Sequence, residues 1–232
     1  LPNIPQIIIA DHAAYRAGAA TAMNNPLYTE RELIHQLYDS DATVLVTLDL
    51  LLPRALKIKG ETKIQKIITC HINDYLPFPK KQLFPYVKKT MFYKVDPHPG
   101  VYEFMDLIAK YPDTPVENKA KWNSLAALIY TGGTTGVSKG AMLTHANISS
   151  VVQQFSVWFP DLKGQYQNLT GIYPVFHSAG YSVSQNLPIW NGWGCTLIPK
   201  PEPGVIVEML EKFHPTFLTG VPTIYTSLLD NE

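Results

Sequence analysis

The chain carries little charge and no excess of either sign. Of its 232 residues 16% are Asp, Glu, Lys or Arg, with 19 basic and 19 acidic side chains and a formal net charge of zero. Such a balance offers no broad field to gather nucleic acid, so any basic patch must be local. Cysteine is equally scarce. Cys70 and Cys195 stand far apart, match no zinc spacing, and read more simply as free buried thiols of a cytoplasmic protein than as a disulfide or metal pair. Long apolar runs are missing as well: "IPQIIIADHAAYRAGAA" is interrupted by Asp11, His12 and Arg16. It reads as neither a membrane span nor a secretory leader. With no secretory segment, the sequons at Asn147 and Asn168 are expected to be without consequence, and no repeat recurs at a fixed period.

What is present is a globular chain, 46% hydrophobic, long enough to bury a real core. Asn3 and Pro5 open a helix that Gly18 stops, and "AATAM" follows as a short strand. Thr29 and Glu32 form a capping-box pattern ahead of Leu33, Ile34 and Leu37, with "ATVLVTL" and "KIQKIITC" as the next strands. Short apolar strands alternating with helices predict an α/β fold with mostly parallel sheets flanked by helices. The stretch "LPFPKKQLFPYVKKT" breaks this pattern and reads as a connector. "PDTPVENKAKW" reads as a linker, which divides the chain into residues 1–118 and 119–232. Beyond it the pattern predicts strands at "LAALIY", "LTGIYPVF", "CTLIP" and "PTFLTGV", and helices at "NISSVVQQF", at "GVIVEMLEKF" and at the end.

One stretch is dense in glycine and hydroxyl groups: "YTGGTTGVSKGAMLTH", Tyr130 to His145. Clustered glycine is costly unless the backbone must turn tightly or approach something closely. Hydroxyls, backbone N–H groups and one ammonium suit phosphate oxygens. A plain hairpin is the alternative, but it needs one or two special residues rather than nine small or polar ones. The stretch is not a P-loop, because Ser138 precedes Lys139 and Gly140 follows it, and its G-G-x-x-G spacing is not that of a dinucleotide fold. It follows the buried strand "LAALIY", which would deliver it to the end of a sheet.

These residues resemble the signature loop of the adenylate-forming superfamily, and the double glycine and "GAMLTH" tail are most similar to long-chain fatty-acid–CoA ligases. "NNPLYTERELIHQLYDSDATVLVT", "YPVFHSAG" and "TGVPTIYTSLL" agree, so the resemblance spans nearly the whole chain. Ser138 stands where this superfamily often has proline. The resemblance implies an internal segment of a large N-terminal domain, with the C-terminal catalytic domain absent. It further implies that Thr131, Gly132, Gly133, Thr134, Thr135, Gly136 and Lys139 hold the phosphates of ATP, with Mg2+ and coenzyme A as the other reactants. His177, in the aromatic/histidine motif, would lie between acyl pocket and nucleotide as a positioning group rather than a general base. His145 reads as structural, beside Thr144 at a helix entry.

Gly220, Val221 and Thr223 resemble a stretch lining the acyl pocket, although a strand-to-helix turn explains Pro222 equally well. Tyr181, Trp190 and Trp193 read as core. The family's acidic metal ligand, its ribose-binding aspartate and its C-terminal lysine would fall beyond Glu232. No metal ligand is therefore expected here, and the segment alone is expected to be inactive. The implied reaction is activation of a fatty acid to acyl-adenylate and then acyl-CoA. Adenylation of an aryl or amino acid, and a non-catalytic nucleotide-binding module, are the alternatives. Residues 76–90, where aromatics interleave with Lys80, Lys81, Lys88 and Lys89, allow two readings. Either the aromatics pack on the domain beneath solvated lysines, or the segment docks a cytoplasmic protein peripherally on a membrane.

Overall fold

The structure, a computed structural model, describes residues 1–132 and 137–230. In chain order the elements are α1 (Pro5–Arg16), β1 (Thr21–Met23), α2 (Glu30–Asp39), β2 (Val44–Leu48), α3 (Leu52–Ile58), β3 (Lys66–Cys70), α4 (Lys80–Val87), β4 (Val101–Glu103), α5 (Phe104–Lys110), β5 (Leu125–Thr131) and β6 (Lys139–Thr144). There follow α6 (His145–Trp158), β7 (Asn168–Gly171), α7 (Ser178–Gly180), a π-helical segment (Tyr181–Asn186), α8 (Leu187–Asn191), β8 (Gly194–Leu197), α9 (Pro203–Phe213) and α10 (Pro222–Leu229). Among the described residues no helix is long and apolar enough to cross a membrane.

The chain folds as two compact units. One comprises Asn24–Asn118 and Tyr130–Gly140, the other Pro2–Met23, Lys119–Ile129 and Ala141–Glu232. In the first unit β2, β3 and β4 pair in parallel, Val44 through Leu48 opposite Lys66 through Cys70 and Ile67 opposite Val101. Parallel strands need both faces covered, so their side chains run apolar. Ile67 and Cys70 are accordingly fully buried. α2 and α3 supply Leu33, Leu37, Leu52, Ala55 and Ile58 to the same core. The Thr29 capping box forms as its sequence pattern implies: Thr29 Oγ1 accepts from Glu32 N, and Glu32 Oε2 accepts from Thr29 N at 2.8 Å.

In the second unit β1 lies parallel to β5, Thr21 opposite Ala127 and Met23 opposite Ile129, within the order β1-β5-β6. β7 and β8 form a separate parallel pair. Ala126, Ala127 and Ile129 of β5 pack with Tyr15, Met23 and Tyr181. Both cysteines are free, and burial pushes each thiol up to about 12. Gly18, φ 77°, takes the left-handed conformation just past α1 that its place in the sequence implies.

Four local expectations need correction. The strand expected across "LTGIYPVF" ends at Gly171. Pro174 has no N–H for a ladder, and the backbone around it is bonded instead by the Asn3 side chain. "PTFLTGV" forms only a single bridge, Leu169 with Phe217, because Thr219 N bonds the Thr170 hydroxyl where a ladder would use a carbonyl. The proline-rich connector contains the helix α4, with Pro85 inside it. Trp190 is 52% exposed rather than core, whereas Tyr181 is buried as expected.

Replacing Thr29 by alanine removes the acceptor for the first turn of α2. We expect a loss of about 1 kcal/mol, read as a lower urea midpoint, with Thr29→Ser recovering most of it.

Candidate functional site

The glycine-rich stretch leaves β5 at Thr131 and Gly132, both exposed, and returns at Lys139, which opens β6 and is also exposed. Gly133, Thr134, Thr135 and Gly136 lie outside the described residues. What the structure adds is how the flanks are held, all within the first unit. The Tyr130 hydroxyl donates to Asp39 Oδ2 at 2.7 Å and reaches the carbonyl of Gln36 at 3.3 Å. Burial, together with the Asp39 carboxylate, pushes this phenol well above its ordinary range. On the returning side a Cβ at Gly140 would stand 3.1 Å from the Tyr130 ring, so the bare glycine lets that ring lie against the backbone.

Ser138 is bonded twice. Its carbonyl meets His35 Nε2 at 3.1 Å, and its hydroxyl oxygen accepts from Gln36 Nε2 at 3.3 Å. A carbonyl only accepts, so His35 carries its proton on Nε2. Gln36 and Asp39 lie three residues apart on one face of α2, and through them this helix grips both ends of the stretch. Proline at 138 would offer no hydroxyl to Gln36. Among the described residues no carboxylate pairs with Lys139, which leaves its ammonium available to an anion.

His177 belongs to the second unit and caps a short helical turn. Its Nδ1 accepts from Ala179 N at 3.3 Å, so the neutral ring keeps its proton on Nε2, a donor on an exposed side chain. Two features set its position. Asn3 bonds the carbonyls of Gly171 and Tyr173 through Nδ2 and accepts from Val175 N through Oδ1, at 2.8–2.9 Å, which pins the approach to His177. Gly180 is the second. A Cβ there would meet the carbonyl oxygen of Pro174 at 2.0 Å, so only glycine allows the chain to turn back so tightly.

The π segment that follows is polar and buried. Ser184 donates to Tyr173 O at 3.3 Å, Gln185 Nε2 to Asp11 Oδ2 at 3.0 Å, and Asn186 Nδ2 to Tyr181 O at 2.7 Å. Tyr181 and Tyr15 share a hydrogen bond through their hydroxyls. Desolvation dominates at Asp11 and raises its carboxyl to about 7 despite the Gln185 bond. His145, at the start of α6 against the edge of Tyr15, has its pKa lowered by burial. Thr144 caps that helix through Asn147.

Gly220, Val221 and Thr223 lead from this framework into α10. Thr219 is tied to β7, its N donating to Thr170 Oγ1 at 2.9 Å and its Oγ1 to Thr170 O at 2.8 Å. Val221 caps α10, Pro222 opens it, and Val221 and Thr223 are exposed. Thr131, Gly132 and Lys139 thus belong to the first unit, and His177 and the 220–223 stretch to the second. Gln36 and Asp39 were not singled out from the sequence, Asn3 was read only as a helix opener, and Gly180 had a local signal inside "FHSAG".

Parallel β-strands alternating with helices define an α/β scaffold. The whole chain, residues 1–232, matches the family of AMP-binding enzymes, and it belongs to that family. Among curated proteins it is 38% identical over 233 residues to a long-chain-fatty-acid–CoA ligase of Bacillus subtilis, covering 99% of this chain and 41% of that protein. It is 36% identical to the ligase of the same description from Haemophilus influenzae, covering 42% of it. A crystal structure of a long-chain-fatty-acid–CoA ligase from Archaeoglobus fulgidus superposes with a TM-score of 0.78 at 25% identity, covering 99% of this chain and 40% of that one. ATP-bound MatB from Rhodopseudomonas palustris shares the fold, with a TM-score of 0.76 at 24% identity, 97% of this chain and 39% of that one being covered. The chain spans about two fifths of the length of the curated relatives it matches.

Asp11 makes stability pH-dependent in a predictable direction. Its carboxyl is raised from 3.8 to about 7 in the folded state, so its contribution is full below 3.8 and is lost as pH rises toward 7. Asp11→Asn should remove this dependence. The gap in unfolding free energy between variant and wild type should widen in the variant's favour by at most about 1.4 kcal/mol per pH unit across that window, and then level off. Parallel stability–pH curves would place Asp11 in water.

Proposed function

We propose that the protein of which these residues form part activates a long-chain fatty acid at the expense of ATP. A carboxylate oxygen attacks the α-phosphorus, the bond to the β-phosphate oxygen breaks, and pyrophosphate leaves. The thiolate of coenzyme A then attacks the acyl carbonyl and AMP leaves. A carboxylate is a poor electrophile because it would have to expel oxide, and adenylation replaces that with a phosphate leaving group. Little covalent chemistry then falls to the protein, and catalysis rests on positioning and on neutralising charge.

In this reading Lys139, with Thr131, Gly132, Gly133, Thr134, Thr135 and Gly136, binds the β- and γ-phosphates. His177 presents Nε2–H to the acyl or phosphoryl oxygens, and Gly220, Val221 and Thr223 border the acyl chain. The observation that carries the reading is the clamped, glycine-rich stretch whose lysine pairs with no carboxylate among the described residues, in a chain similar along its whole length to fatty-acid ligases. Mg2+ enters with ATP as part of the substrate. Among the described residues no three His, Cys, Asp or Glu side chains are grouped to hold a metal. A fatty acid partitions into lipid, and we assign the enzyme to the cytoplasm with peripheral contact to a membrane through residues 76–90.

In the full-length protein, Lys139→Ala should lower fatty-acid-dependent ATP–pyrophosphate exchange at least about tenfold, the scale of one lost charge-assisted contact. Unchanged exchange would remove the lysine from the phosphate site.

His177→Ala tests positioning against base catalysis. It should reduce kcat/KM while leaving the shape of the pH profile intact. Loss of an acidic limb from that profile would instead identify His177 as a general base.

A further inference from the structure

Within the first unit the segment from Phe78 to Lys94 departs from the usual way a helix is buried. α4 has no buried residue, and only Lys81, Phe84 and Pro85 turn partly inward. Phe78 is 84% exposed, Tyr86 75%, Val87 71% and Leu83 52%. The reading in which the aromatics pack on the domain therefore holds for Phe84 alone. Exposed apolar groups are ordinarily scattered singly, and here four lie within ten residues. The same segment carries exposed Lys80, Lys88, Lys89 and Lys94 and not one acidic side chain, in a chain whose net charge is zero. Among the described residues none of these lysines pairs with a carboxylate.

The segment is nonetheless fastened at both ends. Asn73 Nδ2 bonds the carbonyl of Lys81 at 3.0 Å. At the far end Tyr93 N donates to the fully buried Asp49 at 2.7 Å, and Phe92 stacks on His71, which itself bonds Asp49 Oδ2 at 2.8 Å. Asp49 and His71 directly follow β2 and β3, so the carboxyl edge of the sheet anchors the segment while its apolar side chains face solvent.

We propose that residues 78–94 are a docking element for an anionic lipid surface, with Phe78, Leu83, Tyr86 and Val87 entering the interface and the four exposed lysines meeting lipid phosphates. This deepens the peripheral placement above and rests on the fatty-acid reading only for its purpose. The charge selects the occupant. An apolar face destined for a protein core has no use for four unpaired cations around it, whereas a negatively charged headgroup layer over hydrocarbon matches both features. The element brings the enzyme to the phase in which a long-chain acid dissolves.

The test uses the full-length protein and sedimentation with vesicles of phosphatidylcholine alone or mixed with phosphatidylglycerol. Wild type should partition onto the anionic vesicles at least about tenfold better than a variant with Lys80, Lys88, Lys89 and Lys94 all changed to Gln. Salt should weaken wild-type binding, and Phe78→Ser combined with Tyr86→Ser should weaken it independently. Equal binding by wild type and the lysine variant overturns the proposal. So does absence of wild-type binding with slow amide exchange at 83–87, which would mean that other parts of the polypeptide cover the face. A dimer lost on Phe78→Ser/Tyr86→Ser would make it a contact between copies and overturn it equally. The lysine variant should keep full activity on a short, soluble acid. If wild type itself lacks that activity, the fatty-acid reading fails while the vesicle result stands.

Discussion

A loop rich in glycine and threonine positions nothing unless both of its ends are held, and here one short helix face holds them. Tyr130 at the exit of β5 bonds Asp39 and Gln36, and Ser138 ahead of β6 bonds Gln36 and His35. Holding the two flanks fixes where the described chain leaves β5 and where it re-enters β6. The rest follows from that need: α2 must begin at a defined residue, which its capping box ensures, and Gly140 must lack a side chain so that the Tyr130 ring can lie against it.

The second unit meets a similar demand by other means. His177 sits beyond a proline, where a β ladder cannot continue, so a single asparagine from the start of the chain replaces ladder bonds with three side-chain bonds. Gly180 then lets the turn close against the Pro174 carbonyl. Behind it the π segment turns Ser184, Gln185 and Asn186 inward, onto the carbonyls of Tyr173 and Tyr181 and onto Asp11. Buried polar groups of this kind stabilise only when satisfied. Asp11 is held mostly by one amide in an apolar setting, and its carboxyl shifts toward the neutral form accordingly.

Some of this was legible locally. Thr29 and Glu32 pointed to a helix start, Gly18 to a helix end, and alternating short apolar runs to parallel sheets. The misreadings share a cause. "LTGIYPVF" and "PTFLTGV" have strand composition, but strand pairing is decided by neighbours distant in sequence, and Asn3 and Thr170 took up the available donors and acceptors. "LPFPKKQLFPYVKKT" looked irregular because of its prolines, yet Lys80–Val87 completes two turns of helix.

The sequence by itself determined the composition of the stretch from Thr131 to Lys139, the α/β class and the family, because each is written in residues that are neighbours in the chain. Tertiary structure decided what grips those residues. Gln36 and Ser138 are 102 residues apart, Tyr130 and Asp39 are 91, and Asn3 and Val175 are 172. Periodicity and capping patterns extend over only a few residues, so such pairs leave no local signature. The exposure of Leu83, Tyr86 and Val87 on α4 was decided in the same way: a helix face is apolar by sequence, but whether anything covers it depends on what the folded chain brings to it.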